Sequence, residues 1–140
     1  MNKQWWIFEG ETSIDCALFA EKVTVFIEGK RTEPDLTSST EWYPKRNQVF
    51  RNLDCLQEFR EKADRYYVLL IVEDGSPTHA PAASLDLSDV PARESWPHLD
   101  ERKVSDLRNH YLGFTTWQRL AISFGLLLPQ TTQEAAMIRL

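Results

Sequence analysis

The sequence predicts an α+β fold, because three strand-like segments precede a predominantly helical end of the chain. The strands are expected near residues 4–8, 23–28 and 66–73, in a small mixed β-sheet. An amphipathic helix at about 45–64 should pack on this sheet, and C-terminal helices should close the core. With 140 residues, 42% of them hydrophobic, the chain has the usual size of one domain. We therefore expect residues 1–140 to form a single domain.

Each strand has its own pattern. The first segment, 4–8, is short and aromatic and is followed by Glu9-Gly10, which suits a strand and a turn. Apolar and β-branched residues make up 23–27, as in a strand with two distinct faces. An uninterrupted apolar and aromatic run at 66–72 stops at Glu73-Asp74-Gly75. Such a run predicts a strand that is covered on both faces.

Residues 13–20 fit two structures, and the choice between them decides the topology. Ile14, Cys16 and Leu18 alternate with polar or small residues as in a strand, yet Ile14, Ala17 and Leu18 also share one helical face. If the segment is a strand, its neighbours run antiparallel to it. If it is a helix, the alternative is a three-stranded α/β sheet with parallel strands.

Helices are predicted from apolar residues at helical spacing. In the helix at 45–64, one apolar stripe recurs at steps of four, three, three and four, through Val49, Leu53, Leu56, Phe59 and Ala63. A second helix should carry Val104, Leu107 and Tyr111 and end at Gly113. Thr115 with Gln118 resembles a capping box for a third helix, which Pro129 ends, and a short helix is expected over 131–138.

Four prolines lie between residues 76 and 97, so this segment is predicted to be a long irregular loop. Residues 83–87 are a candidate edge strand within it.

Composition excludes some classes of protein. Lys and Arg number 16 against 21 Asp and Glu, which gives a net charge of -5 and disfavours binding to nucleic acid or anionic lipid. The apolar segments are all too short to cross a membrane, and no secretory signal is evident, so a cytoplasmic location is expected. The two cysteines, Cys16 and Cys55, are expected to be buried free thiols.

Acidic residues follow each of the three predicted strands. Parallel strands would bring Glu9, Glu28, Glu73 and Asp74 to the end of the sheet where the strands finish, and clustered carboxylates there favour a cation such as Mg²⁺. The string FIEGKRTEPD, residues 26–35, also resembles the glutamate motif of Toprim-type domains, in particular the RloB-like proteins. That resemblance implies metal-dependent phosphodiester chemistry at Glu28. Glu73 and Asp74 match only by position, because Glu73-Asp74-Gly75 stands where such domains have Asp-x-Asp.

A simpler interpretation of Glu28-Gly29 is a strand end, because Gly accepts the positive φ of a turn. The chain also contains no GxSxG, P-loop or GxGxxG motif. The predicted function is therefore a small acidic protein-binding or inhibitory module of the immunity-protein, antitoxin or anti-defence type. It would act without catalysis or cofactor, on a basic protein partner.

Trp42, Trp96 and Arg93 are the predicted partner-binding residues, because large aromatics and Arg in loops are typical interface anchors. The alternative function is a Toprim/RloB-like nuclease that uses Mg²⁺ with Glu28, Glu73 and Asp74. The sequence predicts no oligomeric state.

Overall fold

The chain has the predicted α+β class with a mixed sheet. The computed structural model describes residues 13–33, 36, 48–56, 65–85, 87–88, 94–97 and 99–128. Within these residues the strands are β1 (Cys16–Ala20), β2 (Val23–Lys30), β3 (Arg65–Val72) and β4 (Tyr111–Thr116). The helices are α1 (Gln48–Leu56), α2 (His79–Ala83), α3 (Glu101–Arg108) and α4 (Trp117–Phe124). No helix in these ranges is long and apolar enough to span a membrane.

The four strands form one sheet in the order β1-β2-β3-β4. β1 and β2 are an antiparallel hairpin, in which Leu18 lies opposite Val25. β3 pairs parallel to both β2 and β4. Residues 16–20 are therefore a strand. The carboxyl ends of the parallel strands β2, β3 and β4 lie at the same end of the sheet.

One face of the sheet, which we call the core face, packs against α1. Alternation along β2 and β3 places the following side chains on this face: Phe26, Glu28, Lys30, Val68, Leu70 and Val72. Phe50 and Leu53 of α1 pack in the same buried cluster, together with Trp96, Val104 and Leu107. Because α1 is buried on most sides, nearly all of its residues contribute to the interior.

Residues 111–116 form a strand, so the predicted helix that continued through Tyr111 to Gly113 was wrong. Tyr111 continues the helical spacing of Val104 and Leu107 in the sequence, but α3 ends at Arg108. Residues 111–116 are mostly aromatic or β-branched and pair with β3, which satisfies backbone groups. The order of elements along the chain is therefore β1-β2-α1-β3-α2-α3-β4-α4.

The helix that follows has different ends from those predicted. Thr116, not Thr115, is the N-cap of α4, and its side chain accepts a hydrogen bond of 3.2 Å from the Arg119 N–H. Gly125 ends the helix at φ 63°, before Pro129. This left-handed conformation is one that Gly adopts without strain.

The Pro-rich segment 76–97 is less irregular than predicted. α2 lies within it and includes Ala83, so the edge strand suggested at 83–87 is wrong. The predicted segments 4–8 and 131–138 lie outside the described residues, as do 45–47 and 57–64 of the predicted first helix. Both cysteines are free, but Cys16 is exposed rather than buried.

Candidate functional site

A groove of about 980 Å³ opens on the sheet face opposite α1, near the shared edge where the parallel strands end. Its floor includes Ile27 and Gly29 of β2, and one wall is formed by α4 and residues 126–128. Asp15 and Cys16 line the side towards β1. Clefts beyond the carboxyl ends of parallel strands are where α/β sheets usually bind ligands. We call this the groove, and the sheet face below it the groove face.

Gly29 allows α4 to approach the groove face closely. A Cβ atom at this position would lie 3.3 Å from Cζ2 of Trp117 and 3.8 Å from Oδ2 of Asp15. The Gly29 N–H also donates a hydrogen bond of 2.9 Å to Asp15 Oδ2. Gly29 lies within β2 and its φ is not positive, so the interpretation of Glu28-Gly29 as a turn was wrong. The equivalent residue after β3, Gly75, does adopt φ 70° in a turn.

Polar side chains of three separate segments meet around Glu73. Arg31 Nε lies 3.0 Å from Glu73 Oε2, and Gln118 donates through Nε2 to Glu73 Oε1. Gln118 in turn accepts a hydrogen bond of 3.0 Å from the Asp74 N–H. This network connects β3 to α4 and to the loop after β2.

Glu33 adds a second fixed carboxylate to the groove lining. Its Oε2 accepts hydrogen bonds from the backbone N–H groups of Arg31 and Thr32, at 2.8 and 3.0 Å. Burial acts to raise the pKa of Glu33, but these hydrogen bonds outweigh it and lower the pKa. Asp15, Glu33 and Glu73 therefore face one cation, Arg31, which leaves the lining acidic.

Much of the remaining lining is apolar, and three of its side chains are strongly exposed. Ile122 is 81% exposed, Leu126 is 62% exposed and Leu127 is 97% exposed. Trp117 and Ala121 continue this surface towards the sheet. The groove thus combines a wall of aliphatic side chains with a rim of carboxylates.

Glu28 lies on the core face, away from the groove. Its side chain is buried, with Lys30 Nζ at 3.0 Å from Oε1 and a hydrogen bond of 3.0 Å from Asn52 Nδ2 to Oε2. Burial raises the pKa of Glu28, although Lys30 and Asn52 act to lower it. The two charges are 0% and 8% exposed as residues, so they neutralise each other inside the protein.

The predicted acidic cluster is divided between the two faces. β2 and β3 are parallel, so Glu28 and Glu73 do reach one edge of the sheet. Glu28 pairs in register with Leu70 on the core face, whereas Glu73 lines the groove. Asp74 is exposed, with His79 Nε2 at 3.6 Å from its Oδ1. Across the described ranges, no three His, Cys, Asp or Glu side chains are arranged to hold a metal ion.

Trp96, one of the predicted anchors, is completely buried. Its ring meets that of Phe50 edge-on at 4.8 Å, and its Nε1–H donates a hydrogen bond of 3.2 Å to the Phe50 carbonyl. These contacts give Trp96 a packing role in the core. Trp42 and Arg93 lie outside the described residues.

Apart from Glu73, sequence reasoning missed the residues that line the groove. They come from segments far apart in the chain, and Asp15, Arg31, Trp117 and Gln118 form no motif. The burial of Glu28 and Lys30 could have been predicted from the sequence. Residues two apart in a strand share a face, and the apolar Phe26 precedes them on the same face.

The fold and groove define a small α+β protein with an acidic and apolar cleft. Comparison of the chain with protein-family models, curated proteins and solved structures finds no match.

Proposed function

We propose that the protein is a non-catalytic binding module that holds an apolar, basic segment of a protein partner in the groove. The observation that carries this proposal is the exposed aliphatic surface of Ile122, Leu126 and Leu127 beside the sheet. Contiguous apolar surface with a polar rim is typical of protein-interaction sites. Full burial of one such side chain contributes about 1.5–3 kcal/mol.

Charge specifies the partner further. Three carboxylates and one guanidinium line the groove, and the whole chain carries a net charge of -5. A segment with Lys or Arg beside its apolar residues would be attracted to this lining and would associate faster at low salt. An inhibitor of the immunity-protein, antitoxin or anti-defence type, acting in the cytoplasm on a basic toxin or nuclease, fits this chemistry.

The proposal is tested with a model ligand. An amphipathic peptide of about 18 residues, with Leu on one helical face and Lys on the other, provides the expected chemistry. We expect calorimetry to give a Kd on the order of 10 µM, weakened at least about tenfold by Leu127→Glu. Leu127 is almost fully exposed, so this substitution should leave the fold intact.

Matched controls distinguish binding in the groove from non-specific binding of the peptide. Leu112→Glu changes another exposed leucine, which lies on β4 and does not line the groove, and should bind as the wild type does. A peptide with Glu in place of Lys should not bind. Equal affinity for both peptides, or equal effects of the two substitutions, would rule out the proposed site.

The second candidate is the Toprim-like nuclease that uses Mg²⁺ with Glu28, Glu73 and Asp74. The parallel pairing of β2 and β3 supports it, whereas the burial of Glu28 on the opposite face from Glu73 speaks against it. The binding module predicts intact DNA and RNA after incubation with Mg²⁺ or Mn²⁺. Metal-dependent cleavage that is lost in Glu28→Gln and in Glu73→Gln, with both variants folded, would establish the nuclease instead.

A further inference from the structure

The two edges of the sheet differ in regularity. β1 pairs with β2 through five consecutive residues without interruption. β4, at the other edge, has a register shift, because one residue, Leu69, lies between Val68 and Leu70 on β3, whereas two residues lie between their partners Tyr111 and Phe114. Gly113, inside this shift, has φ 92°. A bulge of this kind distorts an edge and discourages further pairing.

Within the described residues, β1 has no such protection. Its sequence, CALFA, contains no charged residue and no proline, and Leu18 and Phe19 are 55% and 67% exposed. Within the described part of the chain, no strand lies on its outer side. A regular, uncharged and apolar edge presents unpaired N–H and C=O groups in the spacing that another strand requires.

We propose that β1 pairs antiparallel with β1 of a second copy of this chain, which joins two four-stranded sheets into one. Antiparallel strands of identical sequence are related by a two-fold axis, and Leu18 is the central residue of β1. With the axis at Leu18, Ala17 lies opposite the partner's Phe19, and Cys16 lies opposite the partner's Ala20.

This register makes β1 complementary to itself. A large side chain meets a small one at each pair beside the axis, and the two Leu18 side chains pack together. No charge falls inside the paired region. Just outside this region, Asp15 of each copy lies opposite the partner's Glu21, and this like-charge pair weakens the expected dimer.

The symmetry has a consequence for the groove. A two-fold axis between antiparallel neighbours is perpendicular to the sheet, so the groove faces of both copies lie on the same side. Cys16 belongs to the groove lining and to the paired strand. The dimer therefore presents two grooves side by side to one partner surface, which would increase its avidity.

Sedimentation velocity from about 1 to about 300 µM tests the proposal, because a small interface predicts a weak dimer. We expect the wild type to change from monomer to dimer within this range. Leu18→Lys should weaken the dimer at least about tenfold, because a charge on an edge strand opposes pairing. Leu112→Lys is the matched control, since Leu112 is 53% exposed on the other edge strand, and it should dimerise as the wild type does.

A cross-linking variant keeps the test decisive if Leu18→Lys affects folding. With Cys16→Ser as background, Leu18→Cys should form a covalent dimer with diamide, whereas Leu112→Cys should not. A wild type that stays monomeric throughout the range would overturn the proposal. So would a dimer that responds equally to changes at positions 18 and 112.

Discussion

Two glutamate–cation pairs lie on opposite faces of the sheet, and they share a separation of 3.0 Å. Glu28 with Lys30 is buried on the core face, whereas Glu73 with Arg31 lines the groove and is partly exposed. Water screens the second pair and is excluded from the first, so equal distances have unequal energetic consequences. On the core face, the Lys30 ammonium compensates the buried Glu28 side chain. On the groove face, the charged groups remain accessible to a partner.

The largest effect that sharpens this comparison is expected from Lys30→Met. Removing the ammonium leaves the Glu28 carboxylate buried with Asn52, which should reduce the free energy of unfolding by about 3–5 kcal/mol. The matched substitution Arg31→Met should cost less than about 1 kcal/mol, because the pair with Glu73 is solvent-exposed. Urea unfolding of both variants measures the difference.

A double substitution checks the cause. Glu28→Leu together with Lys30→Met replaces the buried pair by apolar side chains and should recover most of the stability. Equal costs for Lys30→Met and Arg31→Met, or no recovery in the double variant, would show that burial does not distinguish the two pairs.

A smaller effect is expected where α4 meets the groove face. Valine suits a strand better than glycine, yet Gly29→Val should destabilise by about 1–2 kcal/mol because its Cβ crowds Trp117. In a Trp117→Leu background the same change should cost nothing or stabilise. A double-mutant cycle by urea unfolding measures the coupling. Additive effects would mean that the close approach of Trp117 does not determine the choice of glycine.

The smallest expected effect is on how the free energy of unfolding changes with pH. Its sign is opposite for Glu28 on the core face and Glu33 in the groove lining. The raised pKa of Glu28 favours its protonated form in the folded state. Its contribution to stability is therefore greatest below the ordinary value of 4.5 and falls as pH rises through the raised pKa. Glu33 has a lowered pKa, so its contribution is present above 4.5 and is lost as pH falls.

Unfolding of Glu28→Gln and Glu33→Gln from about pH 3 to pH 8 tests these signs. The free energy of unfolding of Glu28→Gln should fall less than that of the wild type as pH rises. The free energy of unfolding of Glu33→Gln should fall less than that of the wild type as pH falls. Parallel curves for wild type and Glu28→Gln would contradict the raised pKa.

The sequence predicted correctly those strands and helices whose residues show a clear period or an uninterrupted apolar run. β2 and β3 were evident from their runs of β-branched, aliphatic and aromatic residues, and α1 from its stripe. β1 stayed ambiguous because residues 13–20 are too few to separate the strand period from the helical one. β4 was missed because its pairing with β3 is non-local, while Tyr111 continued a helical spacing.

The candidate site was less predictable than the fold. Glu28-Gly29 looked like a turn or a catalytic end, but Gly29 is explained by Trp117, which is distant in the sequence. Likewise, Asp15, Arg31 and Gln118 become neighbours only when the parallel strands and α4 assemble. No spacing within one segment encodes such a site.

Methyl-resolved NMR of the protein titrated with the Leu/Lys peptide most directly tests whether the groove face is the face that binds. The account predicts that resonances of Ile27, Ile122 and Leu127 shift, while those of Val68 and Leu70 on the core face do not. Shifts confined to other surfaces, or no shifts at a peptide concentration of about 100 µM, about tenfold above the expected Kd, would contradict it.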